Sequence, residues 1–189
     1  MSLGYILKPS LTLFITAAIT IAALSIVHTL TLEPIERQKQ KTQEAAMREV
    51  LPQASGYREI PAEKSGSGSG SIAAIYEGLP GGELTGYVIK LSPEGYSGNI
   101  DLIVGISAQD KKITGMRVLR HSETPGLGAL SVKEDFFRRY DGKDLVPLSV
   151  VRTSPGEHDI QAITSATITT KAITGAVNEA IEWYRGSGK

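Results

Sequence analysis

The chain opens with a long apolar segment and changes character abruptly at residue 33. Residues 9–32, PSLTLFITAAITIAALSIVHTLTL, contain no formally charged side chain, and Lys8 and Glu33 bracket them. A helix needs about 20 apolar residues to cross about 30 Å of hydrocarbon. Threonine hydroxyls in such a helix can bond to carbonyls of the preceding turn. The pattern therefore predicts one transmembrane helix over residues 9–32, after a short N-terminal tail at 1–8.

A cleaved signal peptide and a buried core helix are two other interpretations of this segment. The apolar core of a signal peptide is usually about 7–15 residues long and precedes a cleavage site with small residues. The segment here is longer and ends in TLEP, which is a poor cleavage site. Its length therefore favours a membrane anchor.

The region that follows is polar and rich in helix-forming residues as far as Pro52. Ile35, Met47 and Val50 belong to an apolar stripe that is only weak, so the pattern predicts a helical stalk over residues 33–53. A linker or surface loop is predicted over residues 54–71, because the stretch ends in the low-complexity sequence SGSGSGS.

Four apolar runs then follow, at residues 72–78, 84–91, 99–107 and 112–120. Gly, Pro, Asn and Asp separate them, which is typical of turns between strands. The sequence AQDKK at residues 108–112 is typical of a tight hairpin loop. We therefore expect successive strands of one sheet.

Helical patterns dominate the rest of the chain. Residues 129–144 predict a short helix that Gly142 stops, residues 145–152 predict a further strand, and a final helix is predicted from about residue 168. The apolar stripe of the final helix consists of Ile168, Ala172, Ile173, Ala176, Val177, Ala180, Ile181 and Tyr184. Strands first and helices later predict an α+β fold with an antiparallel sheet, in a domain over residues 72–189.

The amino-acid composition excludes several kinds of partner and metal site. The 20 basic residues equal the 20 acidic ones, so no nucleic-acid partner is indicated. The absence of cysteine excludes disulfides, thiolate zinc sites and cysteine-ligated iron–sulfur clusters. His28, His121 and His158 are scattered along the chain, so we expect no histidine-rich metal centre. No catalytic Ser/His/Asp or paired-carboxylate arrangement is evident. Any redox function therefore depends on an organic cofactor.

The sequence HSETPGLGALS at residues 121–131 is one candidate binding loop, between a predicted strand and a predicted helix. Gly126 and Gly128 would let the backbone approach a ligand closely and adopt positive φ. Glu123 and Thr124 offer polar contacts. An ordinary connecting loop is the alternative, because glycine and proline mark turns in many proteins.

The sequence AITSATITTKAI at residues 162–173 is a second candidate, at the start of the final helix. Free backbone N–H groups and the positive end of the helix dipole attract phosphate at such a place, and Lys171 adds a cation nearby. Ser165 and Ala166 are small enough for a bulky phosphorylated ligand to lie against the chain. The alternative is N-capping by threonine hydroxyls with no ligand bound, although one hydroxyl suffices for a cap.

These residues carry a family resemblance. ITSATITTKA at residues 163–172 resembles the flavinylation motif of FMN-binding domains in the G subunit of the Rnf complex and the C subunit of the sodium-pumping NADH:quinone oxidoreductase. That motif is an aspartate, two residues, Ser or Thr, Gly, Ala and the Thr that carries the flavin. ETPGLG at 123–128 and EGYSG at 94–98 resemble two further family motifs. Gln161 and Ser165 stand where the motif has aspartate and glycine.

The resemblance implies a covalently bound cofactor. Thr167 would carry FMN as a phosphoester, attached by a separate Mg-dependent flavin transferase that uses FAD. Thr164, Thr169 and Thr170 would bond the phosphate, with Ser165, Ala166 and Lys171 beside them. The isoalloxazine ring would lie against ETPGLG. The residues expected to line its pocket are Glu123, Thr124, Leu127 and Gly128, and Tyr96 is a further candidate for stacking.

The short chain and its ITTKAI segment favour the Rnf G subunit. The resemblance then implies an electron-relay subunit of a translocase that transfers electrons between ferredoxin and NAD and moves sodium or protons. Its partners would be the other membrane and peripheral Rnf subunits. Two alternatives stay open, namely the corresponding subunit of the sodium-pumping quinone reductase and a flavin-free, membrane-tethered binding or assembly module.

The charge pattern and the family resemblance imply opposite orientations of the anchor in the membrane. Arg37, Lys39, Lys41 and Arg48 follow the apolar segment and only Lys8 precedes it, which favours a cytoplasmic C-terminal side. The resemblance implies the opposite, with a single-pass anchor in the inner (plasma) membrane and the FMN domain on the periplasmic, extracytoplasmic side. We expect the latter, because large domains can translocate largely regardless of charge.

Overall fold

The computed structural model describes residues 3–60, 70–79 and 84–187 and begins with one long helix. Helix α1 spans Leu3–Val50. It contains a segment long and apolar enough to cross a membrane, with a mean hydropathy of 2.2 in its most apolar window. None of that window is buried, which argues against a buried core helix. Thr20 and Thr29 donate hydrogen bonds to the carbonyls four residues earlier, each at 2.9 Å, as expected in an apolar helix.

The chain divides into two compact units, residues 1–42 and residues 43–189. The predicted stalk is helical as far as Val50, and its residues 43–50 belong to the second unit. The domain predicted over residues 72–189 lies within this second unit. Residues 61–69 of the predicted linker lie outside the described residues.

The second unit contains a five-stranded antiparallel sheet in which the strands follow one another in chain order. The strands are β1 (Gly56–Glu59), β2 (Ile72–Leu79), β3 (Gly86–Leu91), β4 (Asp101–Ser107) and β5 (Ile113–Arg120). The predicted α+β fold with an antiparallel sheet is confirmed. Strand β1 was not predicted, because its sequence GYRE is short and polar and lacks an apolar alternation.

Both faces of this sheet are covered, which explains why its central strands are apolar runs. On one face, Val88 and Ile103 pack with Met47, Val50 and Leu51. The other face contributes to the larger core, which includes Ile89 and Val104 of the sheet and buried residues of the final helix.

Close approach of the backbone positions the end of α1 on the sheet. Gly105 and Gly115 are partners across β4 and β5. A side chain at Gly105 would collide with the carbonyl of Val50, and one at Gly115 would lie 3.3 Å from its Cα. The hydroxyl of Thr114 donates to the same carbonyl. The two glycines therefore make room for the last turn of α1.

The connection after the sheet differs from the single helix predicted over residues 129–144. It consists of a 3₁₀ helix at Gly128–Val132, a short helix α2 at Glu134–Phe137 and a second 3₁₀ helix at Arg138–Tyr140. That prediction was wrong because Lys133 is extended, with φ −77° and ψ 145°, and interrupts the helical path. The sequence pattern marks helical residues here but not this break.

A small parallel sheet precedes the final helix. Strand β6, Ser149–Val151, pairs with β7, Asp159–Gln161. The strand predicted over 145–152 is thus reduced to three residues, because the N–H and the carbonyl of Leu148 bond to the side chain of Asn178 rather than to a strand. Strand β7 was not predicted, since only Ile160 of its three residues is buried and the run is too short to show a period.

Helix α3 spans Thr167–Gly186 and packs on the larger core. Its buried apolar residues are Ile173, Ala176, Val177, Ala180, Ile181 and Tyr184. Ile168 was predicted to belong to this stripe but is 56% exposed. It lies in the first turn of α3, beyond the core, so the helical spacing of buried residues does not extend to this position.

Candidate functional site

Glu123 connects three segments that are distant in the sequence. Its carboxylate oxygen Oε1 accepts hydrogen bonds from the backbone N–H groups of Tyr96, at 2.8 Å, and Ser97, at 3.0 Å. Its other oxygen, Oε2, accepts a hydrogen bond of 2.7 Å from the hydroxyl of Thr169 in α3. The motifs EGYSG and ETPGLG and the start of α3 are thereby held together by one side chain.

The carboxylate of Glu123 is ionised although its side chain is only 6% exposed. Burial by itself would raise the pKa of Glu123. The hydrogen bonds from Ser97, Thr169 and Tyr96, together with the imidazole of His121, outweigh burial and place the pKa below its ordinary value. Hydrogen bonding to the charged form has this effect, because the bonds are lost on protonation.

Two glycines make room for this carboxylate. A Cβ atom on Gly95 would lie 2.5 Å from Oε1 of Glu123. A Cβ atom on Gly128 would lie 2.7 Å from the hydroxyl oxygen of Thr169 and would also collide with Oε2 of Glu123. Gly126 has the predicted positive φ, 78°. Gly128 does not have a positive φ, so its role here is close packing.

The start of α3 has no hydroxyl cap. Its N-cap residue is Ala166, and no side chain caps the helix. The hydroxyl of Thr170 accepts a hydrogen bond from the N–H of Ile163 and donates one to the carbonyl of Ala166. The hydroxyl of Thr169 is bonded to Glu123. N-capping therefore does not account for the excess of hydroxyl groups in this stretch.

The remaining hydroxyls of the stretch are not engaged by the protein. Within the described ranges, no hydrogen bond joins the side chain of Thr164, Ser165 or Thr167 to another residue. Ser165 is the third residue of a tight turn in which the N–H of Ala166 donates to the carbonyl of Ile163, at 2.9 Å. The φ of Ser165 is +62°, in the region that favours glycine.

A cavity of about 370 Å³, the first cavity, lies where these segments meet. Its lining consists of Tyr96, Glu123, Thr124, Leu127, Gly128, Ser165, Ala166, Thr167, Ile168 and Thr169. All of these except Ile168 were predicted from the sequence as site residues. Ile168 was assigned to the core stripe instead. Tyr96 is 70% exposed, so it stands at the rim of the cavity.

A second cavity of about 430 Å³ shares Ser165 and Thr167 with the first. Its other lining residues are Arg152, Thr153, Ala162, Ile163 and Thr164. The structure therefore places the predicted Thr164 in the second cavity. Two further predicted residues line neither cavity, because Thr170 is fully buried and Lys171 is exposed beyond both. Sequence patterns did not indicate Arg152 and Thr153, which follow the short strand β6.

Comparison with protein families gives two matches. Residues 95–182 match the family described as FMN-binding domain. Residues 1–50 match the RnfG N-terminal region. The first match includes the three segments that form the first cavity, and the second covers the whole of α1.

Comparison with individual proteins agrees with this. The chain is 36% identical over 195 residues to the G subunit of the Na(+)-translocating ferredoxin:NAD(+) oxidoreductase complex of Acetobacterium woodii, covering 97% of this chain and 94% of that protein. It is 32% identical over 181 residues to the G subunit of the ion-translocating oxidoreductase complex of Methanosarcina acetivorans, covering 94% of each.

A solved structure has the same fold. The crystal structure of the C subunit of the Na(+)-translocating NADH-quinone reductase from Parabacteroides distasonis matches with a TM-score of 0.61 and 16% sequence identity. The match covers 82% of this chain and 96% of that one. At this identity the likeness shows the fold alone.

Proposed function

Because the chain belongs to the G-subunit family of the ion-translocating oxidoreductase (Rnf) complexes, we propose that it relays electrons through FMN esterified to Thr167. The complex would transfer electrons between ferredoxin and NAD and couple this transfer to movement of sodium or protons. The other membrane and peripheral subunits of the complex would be its partners.

The first cavity supports the position of the ring. Gly128 and Leu127 present a wall without bulky polar groups, while Thr167 lies at the start of α3 in the lining of the same cavity. Glu123 holds that wall to α3 through Thr169. A flavin ring bound there would meet a surface that is fixed before binding, which limits the cost of ordering the site.

The observation that carries the proposal is the unengaged hydroxyl of Thr167 at an uncapped helix start. Thr167 lines both cavities, so a ligand joined to it has space on either side. A Ser, Thr, Asp or Asn cap is worth about 1 kcal/mol relative to alanine, yet Ala166 occupies the cap position. The uncapped N–H groups of the first turn suit a bound phosphate.

The bound cofactor would supply the redox chemistry, since FMN can accept and donate electrons one at a time. The protein would contribute position and environment. Thr167 would fix the phosphate, and the small residues Ser165 and Ala166 would leave room beside it. The carboxylate of Glu123 is ionised, so it would add negative charge near the ring and disfavour further negative charge there.

The membrane location rests on α1, whose apolar segment is long enough to span a bilayer. We place the FMN domain on the extracytoplasmic side of the inner (plasma) membrane, with a Mg-dependent flavin transferase attaching the cofactor from FAD. The basic residues after the apolar segment oppose this orientation only weakly, because large domains can translocate largely regardless of charge.

The Rnf G subunit is favoured over the corresponding subunit of the quinone reductase. The sequence relatives at 36% and 32% identity are both G subunits, and they match nearly the whole chain. The flavin-free alternative would need the hydroxyl cluster to serve as a cap, and α3 has no side-chain cap.

The ester is tested with the full chain, matured by a flavin transferase and run on a denaturing gel. Wild-type chain should give a flavin-fluorescent band and a mass increase equal to FMN minus water. The Thr167→Val variant should lose both, since valine keeps the shape but offers no ester oxygen. Thr42→Val is the control, because it removes an exposed threonine hydroxyl that lines neither cavity and should keep the label.

A Thr167→Val chain that remains fluorescent would move the ester to Thr164, Thr169 or Thr170. Thr170 is fully buried and Thr169 nearly so, which makes their hydroxyls poor acceptors for a separate enzyme. An unlabelled wild-type chain after maturation would contradict the proposed function itself.

A further inference from the structure

The second cavity has the chemistry of an anion site. Four of its lining residues carry a hydroxyl group, and Arg152 is the charged member of the lining; the four are Thr153, Thr164, Ser165 and Thr167. No acidic side chain is among the residues that line it. Hydroxyl groups and a guanidinium are the side chains that bind phosphate oxygens most readily.

The small parallel sheet fixes the walls of this cavity. The N–H of Ala162 donates to the carbonyl of Val151 at 2.7 Å, which extends the pairing of β6 and β7. The residues just after each strand, Arg152 and Ala162, are thereby held close together, and both line the cavity. The tight turn from Ile163 to Ala166 then leads directly into α3 and Thr167.

Arg152 is free to bind a ligand. In the part of the chain that the structure describes, its guanidinium forms no hydrogen bond or ion pair, and the side chain is exposed. Several other arginines are engaged with carboxylates. These are Arg37, Arg58, Arg117, Arg120 and Arg138.

We propose that the second cavity is the phosphate subsite of the flavin and that Arg152 is its principal phosphate-binding residue. This inference rests on the proposed function, because it assumes that the ring occupies the first cavity and that the phosphate is esterified to Thr167, which lines both cavities. Arg152 would bind the diphosphate of incoming FAD and afterwards the phosphodiester of the attached FMN.

AMP is the leaving group when the FMN part of FAD is transferred to Thr167. The hydroxyl oxygen of Thr167 forms a bond to the phosphorus on the riboflavin side of FAD, and the bond from that phosphorus to the bridging oxygen breaks. AMP departs with the bridging oxygen, and the threonine proton passes to a base of the Mg-dependent transferase. Arg152 would lower the repulsion between the diphosphate charges in this step.

The first experiment measures non-covalent binding. Unmodified full-length chain, produced without the transferase, is titrated with FMN and separately with riboflavin while quenching of flavin fluorescence is followed. Wild type should bind FMN about tenfold more tightly than riboflavin, as a charge-assisted phosphate contact implies. Arg152→Ala should remove that difference while riboflavin binding stays unchanged, and Arg152→Lys should keep part of it.

Arg185→Ala is the matched control, because Arg185 is also exposed and lies in the last turn of α3, at the opposite end of that helix from Thr167. It should keep the wild-type ratio of FMN to riboflavin affinity. The proposal is overturned if wild type binds both flavins equally. It is also overturned if Arg152→Ala keeps the wild-type ratio, or if the variant weakens both flavins alike.

The second experiment measures the initial rate of covalent incorporation from FAD, Mg²⁺ and the transferase. Arg152→Ala should slow it about tenfold, as loss of one charge-assisted phosphate contact implies, and Arg185→Ala should leave it unchanged. An equal rate in wild type and Arg152→Ala would contradict a role in transfer. If the wild type itself gains no flavin, the proposed function is contradicted. The comparison of FMN with riboflavin binding then still tests whether the second cavity binds phosphate.

Discussion

The two cavities that meet at Thr167 differ in how their polar groups are used. In the first cavity, the carboxylate of Glu123 is buried and already accepts three hydrogen bonds from the protein. In the second cavity, the guanidinium of Arg152 and the lining hydroxyls of Thr164 and Ser165 have no partner among the described residues. The carboxylate in the first cavity is therefore already satisfied by the protein, whereas the polar groups of the second cavity can still form hydrogen bonds with a ligand.

The polar groups of the first cavity therefore contribute mainly to the stability of the fold, and those of the second cavity mainly to ligand binding. Groups that are satisfied within the protein hold the fold together, and their removal leaves buried partners unpaired. Groups that are exposed and unpaired contribute little to stability but can be used by a ligand. We therefore expect substitutions around Glu123 to lower stability, and substitutions in the lining of the second cavity to alter binding with little loss of stability.

The largest effect is expected for Gly128→Ala. The added Cβ would lie 2.7 Å from the Thr169 hydroxyl oxygen and would displace the Glu123 carboxylate. Overpacking and a broken charged hydrogen bond together should cost about 3 kcal/mol. Thermal unfolding of the full chain in detergent, followed by circular dichroism, measures this loss, and less flavin should be incorporated.

Gly126→Ala is the matched control within the same motif. Nothing lies within 4 Å of its Cβ position, but its φ is +78°. Only backbone strain of about 1 kcal/mol is expected there. Equal losses for the two variants would mean that the packing of Gly128 against Glu123 does not stabilise the first cavity.

The next largest effect is a pH-dependent loss of stability in the Glu123→Gln variant. Since the folded state lowers the pKa of Glu123, its carboxylate adds stability above the ordinary glutamate pKa of about 4.3. That contribution is lost as the pH falls through the lowered value. Glutamine can keep some hydrogen bonds but not the charge, so the variant should be about 1–2 kcal/mol less stable at pH 7.

Melting temperatures of the wild type and the variant should therefore converge as the pH falls from 5 to 3. Glu134→Gln serves as the control, because Glu134 is exposed in α2 and pairs with Arg138 on the surface. A difference between the wild type and Glu123→Gln that stays constant down to pH 3 would show that the charge of Glu123 adds nothing to folding.

Much of the fold follows from local patterns, and the failures have physical causes. Strands β2 to β5 were predicted because each contains an apolar run long enough to be recognised. Strands β1 and β7 are short and depend on pairing with a neighbouring strand, which no local pattern records. The helix predicted over residues 129–144 failed at Lys133, whose extended backbone separates the first 3₁₀ helix from α2.

The candidate site was predictable as a set of motifs but not as an arrangement. The threonine stretch and the ETPGLG loop are visible in the sequence. The role of Glu123 as their connection is not, because its partners Tyr96 and Thr169 lie 27 and 46 residues away. Arg152 was missed for the same reason, since it reaches the second cavity only through the pairing of β6 with β7.

The smallest effect, a gain in stability, is expected for Ser165→Gly. The φ of Ser165 is +62° in the turn before α3, a conformation that costs a non-glycine residue about 1 kcal/mol or more. Glycine avoids this strain but gains freedom in the unfolded chain, so a net increase of about 0.5 kcal/mol is expected.

The Ser165→Ala variant distinguishes backbone strain from the loss of the hydroxyl. Alanine keeps the Cβ atom and removes only the hydroxyl, so it should be no more stable than wild type, whereas Ser165→Gly should melt at a higher temperature than both. If both variants gained equally, the backbone conformation would not be the cause. Flavin incorporation adds a second measure, because Ser165 lines both cavities. A hydroxyl needed for the phosphate would slow incorporation in both variants, while a purely conformational role would leave Ser165→Gly at least as fast as wild type.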